Sequence, residues 1–501
     1  MRSTRSMPLA TAWPRAPVIY EINTWTWLSD LSRQHGRAVT LASVPAAEWD
    51  ALAAWPLDAV WFMGVWERSP TSAAIAHRNQ GLVGEFRRAL PDYRPEDNIG
   101  SAYAVRSYRV EARLGGQEGL AIARAALAER GIRILLDFVP NHLAIDHPWV
   151  SEHPEYFVEG TREDLQRAPE AFVEVGSRVF ACGRDPYFPP WADVIQVNAF
   201  HRGQRRAAIE TLHALAAQCD GVRCDMAMLL MNDIFAEVWG ARVGAAPAED
   251  YWAEVIAAVR SVHPEFLFVA EAYWDRERAL QEQGFDYCYD KRLLDHLLHG
   301  AAGDLRRHLG ADPGYQDRLV RFIENHDEQR ARAAFGPARE RAAAVVMATV
   351  PGARLFYEGQ LEGRAVRVPV FLARRPDEQP DEELRKFYRA LLEAAASRVV
   401  REGAWALATC RAEREDGSVE NPVAWCWRCG EQRLVVIVNL SGDVARARVL
   451  LPWDDVQGAA WRLTDLLSGG REAWTTDPAE AIIAVELPPW GARVLDMRRA
   501  G

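Results

Sequence analysis

The stretch Gln117-Glu-Gly-Leu-Ala-Ile-Ala-Arg-Ala-Ala-Leu-Ala-Glu-Arg130, followed by Gly131 and Ile132-Arg-Ile-Leu-Leu-Asp137, decides how this chain reads. Leu120, Ala123 and Leu127 recur at helical spacing on one face, Gly131 ends the helix, and a short apolar run ending in a carboxylate follows. This is a helix feeding a strand. Working outward, similar strand-like runs occur at Val18 to Asn23, Asp58 to Met63, Gly221 to Asp225, Leu267 to Glu271, Phe285 to Tyr289, Leu319 to Ile323 and Ala353 to Tyr357. Longer helical patterns separate them, which is the texture of a parallel sheet built from βα units. Eight strands predict a (β/α)8 TIM barrel.

Two regions depart from that alternation. From His142 to about Arg202 the chain is rich in proline and aromatics, including Trp149, Tyr156, Tyr187, Phe188, Pro189, Pro190 and Trp191. A structureless loop of that length is improbable inside a compact domain, so an inserted subdomain after the third strand is expected. Beyond the helical run Asp381 to Ala396, β-like runs alternate with the turn signals Asp416-Gly417, Gly430-Glu431 and Ser441-Gly442, as in an antiparallel β-sandwich. The expected domains are a barrel over 1–141 and 203–396, an insert over 142–202, and a C-terminal β-sandwich over 397–501.

Composition narrows the functional classes. With 501 residues, 49% of them hydrophobic, the chain can bury a large core. A net charge of −11 disfavours nucleic acid as partner, and Lys291 and Lys386 are the only lysines. The first sixteen residues hold Arg2, Arg5 and Arg15 but no continuous apolar run, and no later run reaches the roughly 18 apolar residues of a membrane span. A cytoplasmic protein with no membrane partner is expected; oligomeric state is not legible. Seven cysteines without regular spacing argue for free thiols. Cys426-Trp-Arg-Cys429 has redox or zinc spacing, but no second pair follows, and in a strand its thiols would point to opposite faces.

The chemistry lies in carboxylates at strand ends, where a parallel barrel places its active site. Breaking an acetal between sugars needs a proton for the leaving oxygen and a nucleophile or activated water at the anomeric carbon, so two carboxylates suffice. Asp225 in Gly221-Val-Arg-Cys-Asp225 shares a strand face with Arg223, which should keep it ionised as the nucleophile. Glu271 ends the apolar run Phe266-Leu-Phe-Val-Ala, and burial there beside another carboxylate should favour its protonated form as general acid, then base. His326 and Asp327 follow the strand-like run before them and can bind hydroxyls of the sugar being cleaved, as can Asp137, Asn141 and His142 after an earlier strand. Tyr103, in a polar segment before a helix, is a candidate for stacking under a pyranose. No histidines fall in HxH or HExxH spacing, which argues against a zinc or iron centre. Arg78, Asn79, Glu96, Asp97 and Asn98 read as rim or ordinary loop residues.

Taken in order, Asp137-Phe-Val-Pro-Asn-His142, Gly221 to Asp225, Phe268-Val-Ala-Glu271 and Phe322-Ile-Glu-Asn-His-Asp327 resemble the signature segments of the α-amylase family of glycoside hydrolases. Pro351-Gly-Ala-Arg-Leu-Phe-Tyr-Glu-Gly359 is similar to that family's eighth-strand motif. The resemblance implies Asp225 as nucleophile, Glu271 as acid/base and Asp327 as transition-state stabiliser, with Tyr103, Asp137, His142, Arg223 and His326 lining the subsite of the cleaved glucose. It implies a retaining hydrolase of α-1,4-linked glucans or malto-oligosaccharides. The alternative is a transglycosylase or disaccharide-converting glucosyltransferase; a non-catalytic glycan-binding relative ranks last, since such proteins would lack a catalytic carboxylate. The chemistry requires no cofactor. Calcium is left open, because Asn141 matches a frequent family ligand and Asp185 and Asp193 supply oxygens in the insert, whereas Met228 and Leu229 stand where many members have a Lys-His pair.

Overall fold

A computed structural model describes residues 12–411, 420–457, 459–475 and 481–499. The eight strands β1 (Val18–Asn23), β2 (Ala59–Met63), β3 (Arg133–Phe138), β4 (Gly221–Cys224), β5 (Leu267–Ala270), β6 (Tyr287–Tyr289), β7 (Leu319–Arg321) and β8 (Ala353–Tyr357) close into a parallel barrel in sequence order. The deciding stretch folds as read: the helix Gly116–Ala128 buries Leu120, Ala123 and Leu127, Gly131 takes φ 77° past its end, and β3 is buried along its whole length. Continuous burial explains why the barrel strands show apolar runs rather than alternation.

Between β3 and β4 the chain forms a five-stranded antiparallel sheet of its own. Its strand His142–Ala144 starts four residues after β3 and pairs with Trp191–Gln196, setting Gln196 opposite His142. Among the described residues the C-terminal sandwich comprises eight antiparallel strands, β9 (Ala404–Arg411) to β16 (Ala492–Arg499). Strand β9 pairs with Pro422–Cys429 through 404–408 and with Ala445–Leu450 through 409–411, which turns the sheet back over itself. Ala424, Val435, Ile437, Ala447, Val449 and Ile483 share the resulting core.

The chain divides into two compact units. The first contains Tyr20–Tyr289 with Val366–Asp377; the second contains Pro14–Ile19, Asp290–Ala365 and the chain from Glu378 onward. Within the second, the Thr349 carbonyl accepts hydrogen bonds from the indoles of Trp425 (3.2 Å) and Trp427 (2.7 Å), which join the end of the helix before β8 to the sandwich. All seven cysteines are free, Cys426 and Cys429 among them. No described helix is long and apolar enough to cross a membrane.

Candidate active site

The site grows from strand register. Parallel pairing aligns Arg223 with Asp137 on β3 and Val269 on β5, and Cys224 with Phe138 and Ala270. Asp225 and Glu271 are therefore the next residues beyond two strands that end level. The Asp225 N–H donates to the Phe138 carbonyl (2.9 Å) and the Glu271 N–H to the Cys224 carbonyl (3.0 Å). Alternation sets Gly221, Arg223 and Asp225 on one face. Glycine is required at the first of these, because a Cβ on Gly221 would lie 2.6 Å from Leu267 Cβ and 2.8 Å from Leu135 Cδ2.

One guanidinium then holds both carboxylates. Arg223 Nη1 donates to Asp225 Oδ1 at 2.7 Å, while Nη2 is ion-paired with Glu271 Oε2 at 2.8 Å; Asp137 Oδ1 lies 3.8 Å from Nη1. The guanidinium carbon sits 5.2–5.7 Å from the ring centroids of Tyr103, Trp61 and Tyr289. Burial opposes the charge on Arg223, but Glu271, then Tyr103, Tyr289 and Asp225, outweigh it and push its pKa well above the ordinary guanidinium value. Tyr103 OH reaches Asp137 Oδ1 at 3.5 Å, the outer limit of a hydrogen bond, and the Gly64 N–H donates to Asp137 Oδ2 at 3.2 Å.

Glu271 is buried, and two further donors reach it: Oε2 accepts the Met226 N–H at 2.6 Å and Oε1 accepts the Tyr273 hydroxyl at 2.9 Å. Met226 offers its amide by adopting the left-handed conformation (φ 43°, ψ 45°), a strained choice for a side chain of that size. Arg223 lies on β4, Met226 just past its end and Tyr273 beyond β5, so the apolar run before Glu271 gave no sign of these donors. Tyr273, two residues past Glu271, was the one legible donor, and sequence reasoning missed it.

His142 Nε2 lies 3.9 Å from Asp225 Oδ2. Burial lowers the imidazole pKa to about 4, against the opposing effects of Asp193 and a backbone hydrogen bond to Tyr103, so the ring is neutral at neutral pH. Tyr103, Asp137, His142, Arg223, Asp225 and Glu271 are thus brought together in the first unit. His326 and Asp327 belong to the second unit, where His326 Nε2 is 2.9 Å from Asp327 Oδ2 and Asn325 Oδ1 accepts the N–H groups of Asp327 and Glu328.

The loop residues expected as rim candidates largely serve the chain's own structure. Asn79 caps the helix Gln80–Ala89, Asp97 receives two N–H groups of Arg374, and Asn98 bonds the Ala73 carbonyl and the Gly100 N–H. An aromatic segment of the insert, by contrast, borders the site. Trp191 lies 5.0 Å from the His142 ring, Tyr187 lies 4.9 Å from Trp274, and Tyr187 and Phe188 are 69% and 67% exposed. Asp185 Oδ1 accepts both of their backbone N–H groups.

The residues near Asn141 do not fit calcium, which takes six to eight oxygens. The Asn141 side-chain oxygen and its carbonyl already accept hydrogen bonds from the Gln196 amide, Asp185 is engaged as above, and Asp193 accepts from the Ser72 hydroxyl. Among the described residues no group of three or more His, Cys, Asp and Glu converges to hold a metal.

No family model matches the chain. The α-amylase MalA of Haloarcula japonica is 25% identical over 445 residues, covering 87% of this chain and 57% of that protein. An α-1,4-glucan:maltose-1-phosphate maltosyltransferase of Cereibacter sphaeroides is 26% identical over 231 residues, 42% of this chain and 30% of that protein. The chain thus spans little more than half of the first relative and under a third of the second. Among solved structures, the maltogenic α-amylase AmyB of Thermotoga neapolitana has the same fold, with a TM-score of 0.69 and 17% identity over 97% of this chain and 99% of that one.

Proposed function

We propose that the chain, similar over most of its length to an α-amylase, is an α-amylase-family enzyme that acts with retention on α-1,4-linked glucans or malto-oligosaccharides through a covalent glucosyl ester on Asp225. The observation that carries this reading is Arg223, which grips one oxygen of Asp225 and one of Glu271 at the ends of adjacent, level strands. In a retaining glycosidase the two carboxyl groups stand about 5 Å apart, a spacing that one bridging guanidinium can serve.

In the proposed cycle Asp225 attacks the anomeric carbon as Glu271 gives a proton to the leaving oxygen. One cation cannot neutralise two carboxylates, so their mutual repulsion favours a single proton on the pair, and Glu271 is where the leaving oxygen can use it. Substrate entering beside Glu271 would displace the Tyr273 hydroxyl from Oε1. Neutral His142 and the Asp137–Tyr103 pair would bind hydroxyls of the glucose being cleaved. For His326 and Asp327 the roles are those the family resemblance implies, sugar binding and stabilisation of the oxocarbenium-like transition state.

Whether water or a second sugar resolves the ester is the finer question. Transfer is favoured by the exposed Tyr187 and Phe188 and by Trp274, three residues beyond the proposed acid: the leaving group departs on the side of the acid, and rings there can hold an acceptor. Incubation with maltoheptaose, and separately with maltose or sucrose, tests both readings. Shorter products alone mean hydrolysis, and longer chains or a new disaccharide mean transfer. Asp225→Asn should abolish turnover, a loss on the order of several kcal/mol in the barrier; a variant that still turns over would remove Asp225 from the role.

A further inference from the structure

Gln196 has no role in the chemistry above, yet it is fully buried beside Asn141, which is 1% exposed. Its amide nitrogen lies 2.9 Å from the Asn141 carbonyl oxygen, 3.0 Å from Asn141 Oδ1 and 3.1 Å from the Val197 carbonyl oxygen. Three oxygens therefore converge on one donor, with two protons shared among them. Its Oε1 in turn accepts from Asn141 Nδ2 at 3.4 Å, and that same Nδ2 lies 3.3 Å from His142 Nδ1.

We propose that Gln196 is a built-in, metal-free clamp: its amide occupies the point where oxygens would gather round a cation, fixes the orientation of the Asn141 amide, and through it sets which nitrogen of His142 carries the proton. The chain of donors has one consistent direction. Asn141 Oδ1 must face the Gln196 N–H, so Asn141 presents its own N–H to His142 Nδ1. An Nδ1 that accepts leaves the single proton of a neutral imidazole on Nε2, the nitrogen nearest Asp225. Register makes the clamp possible, because Gln196 pairs directly with His142 across two antiparallel strands. A neutral amide also avoids the desolvation cost that a carboxylate would meet at a fully buried position. Gln196 is thus a positioning residue for His142, and the idea stands whether or not the glucan reading does.

The test is thermal unfolding in EGTA and in millimolar CaCl2, together with 15N NMR of labelled histidine. The wild-type melting temperature should be the same in both buffers, and His142 Nδ1 should give the signal of an unprotonated nitrogen. Gln196→Glu places carboxylate oxygens against the same three acceptors. It should melt several degrees lower in EGTA, regain stability with Ca2+ and move the His142 nitrogen signals. If that variant does not fold, Gln196→Met should melt lower without responding to Ca2+ and should also perturb His142. A wild-type protein destabilised by EGTA would overturn the proposal. So would variants that leave both the melting temperature and the His142 signals in place.

Discussion

Arg223 concentrates more consequence than any other side chain of the first unit, because its planar fork reaches two carboxylates at once while three aromatic rings surround it. Lysine keeps the charge but has no fork. Arg223→Lys is therefore expected to lower kcat/KM on the order of 100-fold, about 3 kcal/mol, in a protein that still folds; steady-state kinetics beside a circular dichroism spectrum would check both halves. His147 offers a separate test on stability. Burial lowers its pKa to about 4, with Asp146 opposing and Arg106 assisting, and its Nδ1 accepts the Trp149 N–H at 3.1 Å. The unfolded imidazole takes its proton near pH 6.5, so between there and about 4 the unfolded chain binds more protons than the folded one. Stability from this group is present above pH 6.5 and is lost as pH falls through that window, by about 3 kcal/mol at most. His147→Gln should flatten the fall in melting temperature from pH 6.5 to 4 relative to wild type.

At the scale of elements, the aromatic segment of the insert is the feature that composition alone left ambiguous. Trp191 meets the His142 ring and Tyr187 meets Trp274, so the segment spans from the proposed nucleophile's side to the acid's side of the site. Trp274 and Asp275 both hold positive φ (59° and 62°), which turns the chain sharply just past Glu271. Removing both exposed rings, Tyr187→Ala with Phe188→Ala, should raise KM for maltoheptaose about fivefold, a loss of about 1 kcal/mol, with little change in kcat. The ratio of transfer to hydrolysis should fall in the same variant. An unchanged product distribution would count against an acceptor role for this segment.

At the scale of the whole molecule, the second unit contains β7, β8 and the C-terminal sandwich, tied by two tryptophan indoles to the Thr349 carbonyl. Ending the chain at residue 403 would leave that carbonyl without both donors and expose the apolar surface that the sandwich covers. The expected product is insoluble or melts far below the full chain, as soluble yield and scanning calorimetry would report. A truncated protein with the original melting temperature would mean that the sandwich contributes nothing to the barrel's stability.

Barrel, insert and sandwich were all legible, because each carries its own periodicity: helical spacing and short apolar runs, a proline- and aromatic-rich break, then runs separated by turns. Asp225 with Arg223 was legible for the same local reason, since two residues apart on a strand share a face. What only the tertiary structure decided is what crosses between strands. The donors that reach Glu271 from Met226 and Arg223, and the Gln196 amide that meets Asn141, come from positions 45 or more residues away in sequence. Local pattern records which face a side chain takes; register and burial decide which partner waits there.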